Sequence, residues 1–193
     1  HFYYRQDAPT VVKRRFVEPN FLNKLFEICY LEDINHLNIA LENEICAYLN
    51  SSLKEFDLVL VADFGHGFIT PKIVKVLSKK ANFLAVNVQT NSANIGFNLI
   101  TKFPHADYVC IDEPEIRFAC HDRVSNIEKL ILNISKKLSC EKIIITRGHK
   151  GSLAYSKKEG FSGIPVFSKE VVDRIGAGDA YFSVTSPCAF KNN

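Results

Sequence analysis

Short apolar runs recur along this chain from residue 57 onward, with helical periodicity between several of them. Leu58 to Ala62 is a continuous apolar stretch and predicts a strand over 57–62 buried on both faces. Phe83 to Val88, Tyr108 to Ile111 and Lys142 to Thr146 repeat the pattern. Leu37, Leu41, Ile45, Tyr48 and Leu49 share one face at helical spacing, with Asn35 as the expected cap. Pro71 suits the first turn of a helix running toward Lys79. Ile127, Leu130, Ile131, Ile134 and Leu138 form another apolar stripe, and Ser125 with Glu128 suggests its capping box. The first thirty residues differ: Thr10 to Val17 and Lys24 to Tyr30 are strand-like. Ser152 to Tyr155 and Gly160 to Val166 predict a hairpin, and a helix should begin near Ala177.

Alternating strands and helices imply an α/β fold with a mainly parallel sheet and helices on both faces. Ligands in such sheets sit beyond the carboxyl ends of the strands, where Asp63, Asp112, Thr146 and Asp173 are all expected. With 47% hydrophobic and 23% charged residues over 193 positions, the chain suits one such domain or most of one. Its apolar runs are too short to span a bilayer. A net charge of +3, without basic stripes, argues against nucleic acid and leaves small anionic ligands open. Six cysteines without a C-x-x-C pair fit reduced thiols in the cytoplasm, and His36, His105, His121 and His149 are too dispersed for a zinc site. The chain begins at His1 and has no methionine, so we expect a piece of a longer polypeptide.

Chemistry concentrates near the end, in Asp173-Arg174-Ile175-Gly176-Ala177-Gly178-Asp179. Gly176 and Gly178 let backbone approach an anion, and a helix starting there presents unpaired N–H groups and its positive end. Asp179 in that first turn could accept the proton of an attacking hydroxyl while the N–H groups stabilise a transferring phosphoryl group. By itself the same turn could equally carry an acid that only favours the helix dipole. Upstream, Thr146-Arg147-Gly148-His149-Lys150-Gly151 follows an apolar strand and allows a tight phosphate-facing loop.

Together these segments resemble the D-T-x-G-A-G-D and T-x-G-x-x-G elements of the PfkB/ribokinase carbohydrate kinases. The resemblance implies a ribokinase-like three-layer fold, with a β-rich lid over 8–30 and a nucleotide-binding core over 57–193. It implies ATP held by Thr146, Gly148, Gly151 and Asp173, an anion hole from Gly176, Ala177 and Gly178, and Asp179 as base. Glu115, in Asp112-Glu113-Pro114-Glu115, matches the glutamate of N-x-x-E that supports Mg²⁺, with Asp112 in place of asparagine.

Two further segments resemble bacterial heptose 7-phosphate kinases: Asp63-Phe64-Gly65-His66-Gly67, like D-Y-G-K-G, and Pro9-Thr10-Val11-Val12-Lys13-Arg14-Arg15, like P-T-x-x-K-x-R. Asp63, Gly65, Lys13 and Arg15 would then meet the acceptor. The basic cluster on a strand would equally serve as a guarded sheet edge. His66 stands where that group has lysine, and Asn87-Val88-Gln89 where it has D-P-K, so a divergent branch with another acceptor is expected. The implied function is phosphorylation of a sugar or sugar-phosphate hydroxyl. A nucleotide- or sugar-phosphate-binding module without catalysis, and a nucleoside or vitamin acceptor, remain alternatives. The resemblance also implies a homodimer through the lid and a nucleotidyltransferase fused outside these residues.

Overall fold

The computed structural model describes residues 1–6, 8–19, 24–31, 37–91, 94–167 and 175–192. Strands β1 (Val12–Val17) and β2 (Lys24–Tyr30) pair antiparallel in a separate two-stranded ribbon, with Arg15 opposite Glu27 and Phe16 opposite Phe26. Six strands form the main sheet: β3 (Val59–Asp63), β4 (Leu84–Val88), β5 (Tyr108–Asp112), β6 (Lys142–Thr146), β7 (Ser152–Ser156) and β8 (Gly160–Ile164). They lie in sequence order, the first four parallel and the last two antiparallel as the expected hairpin.

Because the strand order never reverses, right-handed crossovers place the connecting helices on one face. Those helices are α2 (Pro71–Lys80), α3 (Glu113–Cys120) and α4 (Ile127–Leu138), and α1 (Ile39–Ser52) packs beside α2. Leu84, Val86, Val109, Ile111, Ile143 and Ile145 point into this layer against Ile73, Leu77, Ile116, Ile131 and Ile134. Alternate positions Ala85, Tyr108 and Cys110 face the other side and meet Phe182 of α5 (Ala177–Lys191). The result is the three-layer arrangement expected, with a β-ribbon beside it.

Three local expectations need correction. β3 is buried on one face only: Leu60 is 42% exposed, because β3 is an edge of the described sheet and α5 centres on its neighbours. The cap of α1 is Asn38, whose Oδ1 accepts from Leu41 N at 2.8 Å, whereas Asn35 lies outside the described residues. The cap of α4 is Asn126 rather than Ser125, its Oδ1 accepting from Glu128 N at 3.1 Å. The reciprocal capping box belongs instead to α3: Asp112 Oδ1 accepts from Glu115 N, and Glu115 Oε2 accepts from Asp112 N, both at 2.8 Å. A helix starting directly on the last strand residue leaves no room for a loop, so the cap must come from the strand end itself.

Candidate active site

The carboxyl ends of β4 to β6 and the start of α5 converge on two adjoining spaces. The larger is a cleft of about 1340 Å³ between the start of α3, the turn 146–151, the end of β8 and the first turns of α5. The smaller, about 240 Å³, lies among Asn87, Gln89, Thr90, Glu115 and Asp179. Asp112, Thr146 and Gly178 line both. A ligand of nucleotide size fits the first, and its terminal group would enter the second.

The turn 146–151 is shaped by its glycines. Gly151 has φ of +79°, and a Cβ there would come within 2.0 Å of Ile164 O. No other residue type fits beside β8. Gly148, at φ +57°, opens a 3₁₀ turn over Gly148–Lys150. Arg147 Nε donates to Glu113 Oε2 at 3.0 Å, and Arg117 Nη2 donates to Glu113 Oε1 at 2.8 Å, so both cations are held at the cleft wall. Burial pushes the Glu113 carboxyl up, but the two arginines outweigh it and leave the group below its usual range. Tyr181 of α5 shares a 2.7 Å hydrogen bond with Ser152 Oγ, which ties α5 to β7 across the cleft floor.

Gly176 caps α5 in the left-handed conformation, φ +77°, and, having no side chain, makes no cap bond of its own to the N–H groups of the first turn. Asp179 sits in that turn, partly buried, its Oδ1 accepting from Gln89 Nε2 at 2.5 Å. Asp173 lies outside the described residues.

Asp112 stands where the resemblance has asparagine, and the geometry explains why the exchange is tolerated: its Oδ1 makes the helix cap that an amide oxygen would make. Both Glu115 oxygens are occupied, Oε2 by Asp112 N and Oε1 by Thr90 N at 2.9 Å. Burial, then the Asp112 charge, pushes Glu115 up to about 7, and burial likewise raises Asp112. Two buried oxygens of residues lining the small cavity, Asn87 Oδ1 and Thr90 Oγ1, have no hydrogen-bond partner among the described residues. Asn87 Nδ2 donates to Cys110 O at 2.7 Å, which leaves Oδ1 as the unpaired end of the amide. Hard oxygen donors beside two carboxylates suit a hydrated Mg²⁺. No group of three or more His, Cys, Asp or Glu positioned for a metal occurs among the described residues, so water and phosphate oxygens would complete its shell.

The residues expected to meet the acceptor divide. Asp63 is 3% exposed, its Oδ2 paired with Lys102 Nζ and its Oδ1 accepting from Gly65 N at 2.9 Å. In that position it holds the turn. Gly65 is pressed against Asn94, where a Cβ would come within 2.0 Å of Nδ2. Asn91 and Asn94 donate to Phe64 O, and Asn98 donates to the Asp63 and Gln89 carbonyls. The polar stretch after β4 is therefore a brace for the 63–65 turn. Arg15 Nε is engaged by Glu27 Oε2 across the ribbon at 2.6 Å. Lys13, on the same face, is close enough to His66 for its charge to act there: burial first and Lys13 second lower the imidazole, and Asp63 partly opposes them. Gln89 and Asn87 were missed as site residues; both sit at a strand's carboxyl end, the rule that located Asp63, Asp112 and Thr146.

No helix among the described residues is long and apolar enough to cross a membrane. Residues 3–186 match the model of the pfkB family carbohydrate kinases. The bifunctional protein HldE of Campylobacter jejuni strain RM1221 is 31% identical over 160 residues, 81% of this chain and 33% of that protein. HldE of Citrifermentans bemidjiense is 27% identical over 150 residues, covering 76% and 30%. Among solved structures, the tetrameric inhibited form of Escherichia coli phosphofructokinase-2 superposes with a TM-score of 0.67 at 11% identity, over 86% of this chain and 55% of that one. Giardia lamblia ribokinase gives 0.65 at 18%, over 95% and 56%. Arabidopsis thaliana ribokinase, complexed with ribose and ATP, gives 0.60 at 15%, over 95% and 57%. The chain thus spans about a third of the length of these curated relatives and just over half that of the solved structures.

Proposed function

The chain belongs to the pfkB family of carbohydrate kinases, and from that membership we propose that it carries the phosphoryl-transfer site of an ATP-dependent kinase acting on a sugar or sugar-phosphate hydroxyl. The observation that carries this reading is the junction of the two spaces at Thr146 and Gly178, with Asp179 in the small one and the glycine-capped start of α5 beside it. ATP would lie in the large cleft, its phosphates between Thr146, Gly148, Gly151 and the first turn of α5. The acceptor oxygen attacks the γ-phosphorus as Asp179 takes its proton, the bond to the β-phosphate oxygen breaks, and ADP leaves. Backbone N–H groups of Gly176 to Asp179 stabilise the charge on the transferring group. Mg²⁺, when bound, neutralises phosphate charge; Glu115, Asp112, Asn87 and Thr90 would hold its water shell.

The experiment is Asp179→Asn in the intact protein, with ATP and a panel containing D-glycero-D-manno-heptose 7-phosphate and D-fructose 6-phosphate. Product formation should fall by about 10²- to 10⁴-fold while ATP binding persists. Turnover equal to wild type refutes the assignment. A binding module without turnover is the second reading, favoured by the pairing of Arg15 with Glu27 and of Asp63 with Lys102, which occupies two groups expected at the acceptor. ATP binding with no product from any acceptor would select it.

The acceptor of heptose kinases, a heptose 7-phosphate, is the first candidate because the lid and the 63–67 turn carry that resemblance. The relatives' designation as bifunctional supports a second catalytic unit outside these residues. Exposed Val12, Phe16, Phe26, Ile28 and Tyr30 on one face of the ribbon support pairing with a second copy. Sedimentation of Phe16→Glu should then show a monomer, and an unchanged dimer would refute that interface. Use of ATP supports a cytoplasmic setting, which fractionation of the source cells would test.

A further inference from the structure

Gln89 follows the last residue of β4 and has every backbone group fixed. Its N–H donates to Asp63 O at 2.8 Å and its carbonyl accepts from Asn98 Nδ2 at 3.2 Å. The next N–H, that of Thr90, donates to Glu115 Oε1 at 2.9 Å. Asn98 in turn bonds the Asp63 carbonyl and accepts from Lys102 Nζ at 2.7 Å. From this fixed base the Gln89 amide reaches across 90 residues of sequence to donate to Asp179 Oδ1 at 2.5 Å.

We propose that Gln89 is the positioning residue of the Asp179 base, holding the carboxylate by Oδ1 so that Oδ2 meets the acceptor hydroxyl. The inference deepens the kinase reading and rests on it. A carboxylate on the first turn of a helix can rotate about two side-chain bonds, and only some of its orientations place a lone pair on an incoming proton. A donor on one oxygen removes that freedom. An amide does so without a formal charge and cannot itself accept the proton, so the base stays Asp179. The same two-residue segment, 89–90, holds Asp179 and Glu115, which sets the base and the metal-supporting carboxylate in one frame. The residue occupies the lysine position of the D-P-K pattern, and lysine also carries an N–H donor.

The test uses the intact protein with ATP and the two sugar phosphates above. Gln89→Leu should lower kcat by about 10- to 100-fold, with KM for ATP and acceptor within about twofold of wild type. Gln89→Glu, of nearly the same shape but without the donor, should lose at least as much. Gln89→Lys, which restores an N–H donor, should recover kcat to within about fivefold. A wild-type kcat in Gln89→Leu overturns the proposal, as does an equal loss in the leucine and lysine variants, or a loss confined to KM. Should Gln89→Leu fail to fold, the contrast of the glutamate and lysine variants decides in the same way. Asp179→Asn separates the two levels. If it is inactive and Gln89→Leu is unimpaired, only the positioning role falls. If it turns over normally, or wild type phosphorylates no acceptor of a broad panel of sugars and sugar phosphates, the kinase reading falls and takes this one with it.

Discussion

Lys102, in the 3₁₀ turn ahead of β5, pairs with the Asp63 carboxylate at the end of β3, and that pair anchors both the 63–67 turn and the segment bearing Gln89. Asp63 is 3% exposed, so removing its cation leaves a buried charge with the Gly65 N–H but no counter-charge from Lys102. Lys102→Met should cost about 2–4 kcal/mol, at the lower side of buried-pair losses because the lysine is 29% exposed. Asp63→Asn combined with Lys102→Met should cost less than Lys102→Met alone. Urea denaturation of the three proteins reads both quantities; equal losses in single and double variants would count against the pair.

Gly151 and Gly148 both have positive φ, yet their substitutions should differ. At Gly151 a methyl group meets a backbone carbonyl at 2.0 Å, whereas at Gly148 nothing lies within 4 Å. Gly148→Ala should cost about 1–2 kcal/mol from backbone strain alone. Gly151→Ala should cost about 3 kcal/mol or more by forcing β8 aside, and should weaken ATP binding at least tenfold. Thermal unfolding with calorimetric ATP titration distinguishes them, and parity between the two variants would contradict the clash.

Glu115 gives the fold a pH signature. Its folded value of about 7 lies above the ordinary 4.5, so the folded state binds a proton more readily than the unfolded one. That contribution is fully present below about 4.5 and is lost as pH rises through about 7. Wild type should therefore lose more thermal stability between pH 5 and pH 8 than Glu115→Gln, by about 3–6 °C. Saturating Mg²⁺ with ATP should shrink the difference by favouring the carboxylate. Parallel melting curves across that range would remove Glu115 as the source.

His66 replaces a fixed cation by a group held below its ordinary range through burial and Lys13. At pH 7.5 it is neutral. Acidification toward pH 6 should lower KM for a phosphorylated acceptor, burial and Lys13 opposing protonation of the ring and Asp63 favouring it. His66→Lys should bind such an acceptor about 3- to 10-fold more tightly at pH 7.5 and flatten the dependence. Steady-state KM at pH 6 and 7.5 decides; a lysine variant indistinguishable from wild type would place the acceptor elsewhere.

The buried middle of the sheet was legible because Leu84 to Val88 and Tyr108 to Ile111 are apolar at every position but Asn87, a pattern only two covered faces can satisfy. Leu58 to Ala62 has the same pattern, yet its strand is an edge, and nothing local distinguishes an edge from a centre. Caps slipped by one to three residues because Ser, Asn and Asp compete for the role within a single turn. The positive-φ turns at Gly148, Gly151 and Gly176 and the place of Asp179 in the first turn of α5 were legible because those signals are local. Gln89 was not, because its role is defined by a partner ninety residues away. The partner of Asp63 was hidden for the same reason: a carboxylate at a strand end suggests a ligand, and the Lys102 that pairs with it lies 39 positions further along the chain.

The Gln89–Asp179 hydrogen bond closes a loop of ninety residues. Such a closure is entropically late, after the local turns and helices have formed. Recovery of helical signal during refolding should precede recovery of turnover, since the active geometry exists only once both ends of that loop have docked.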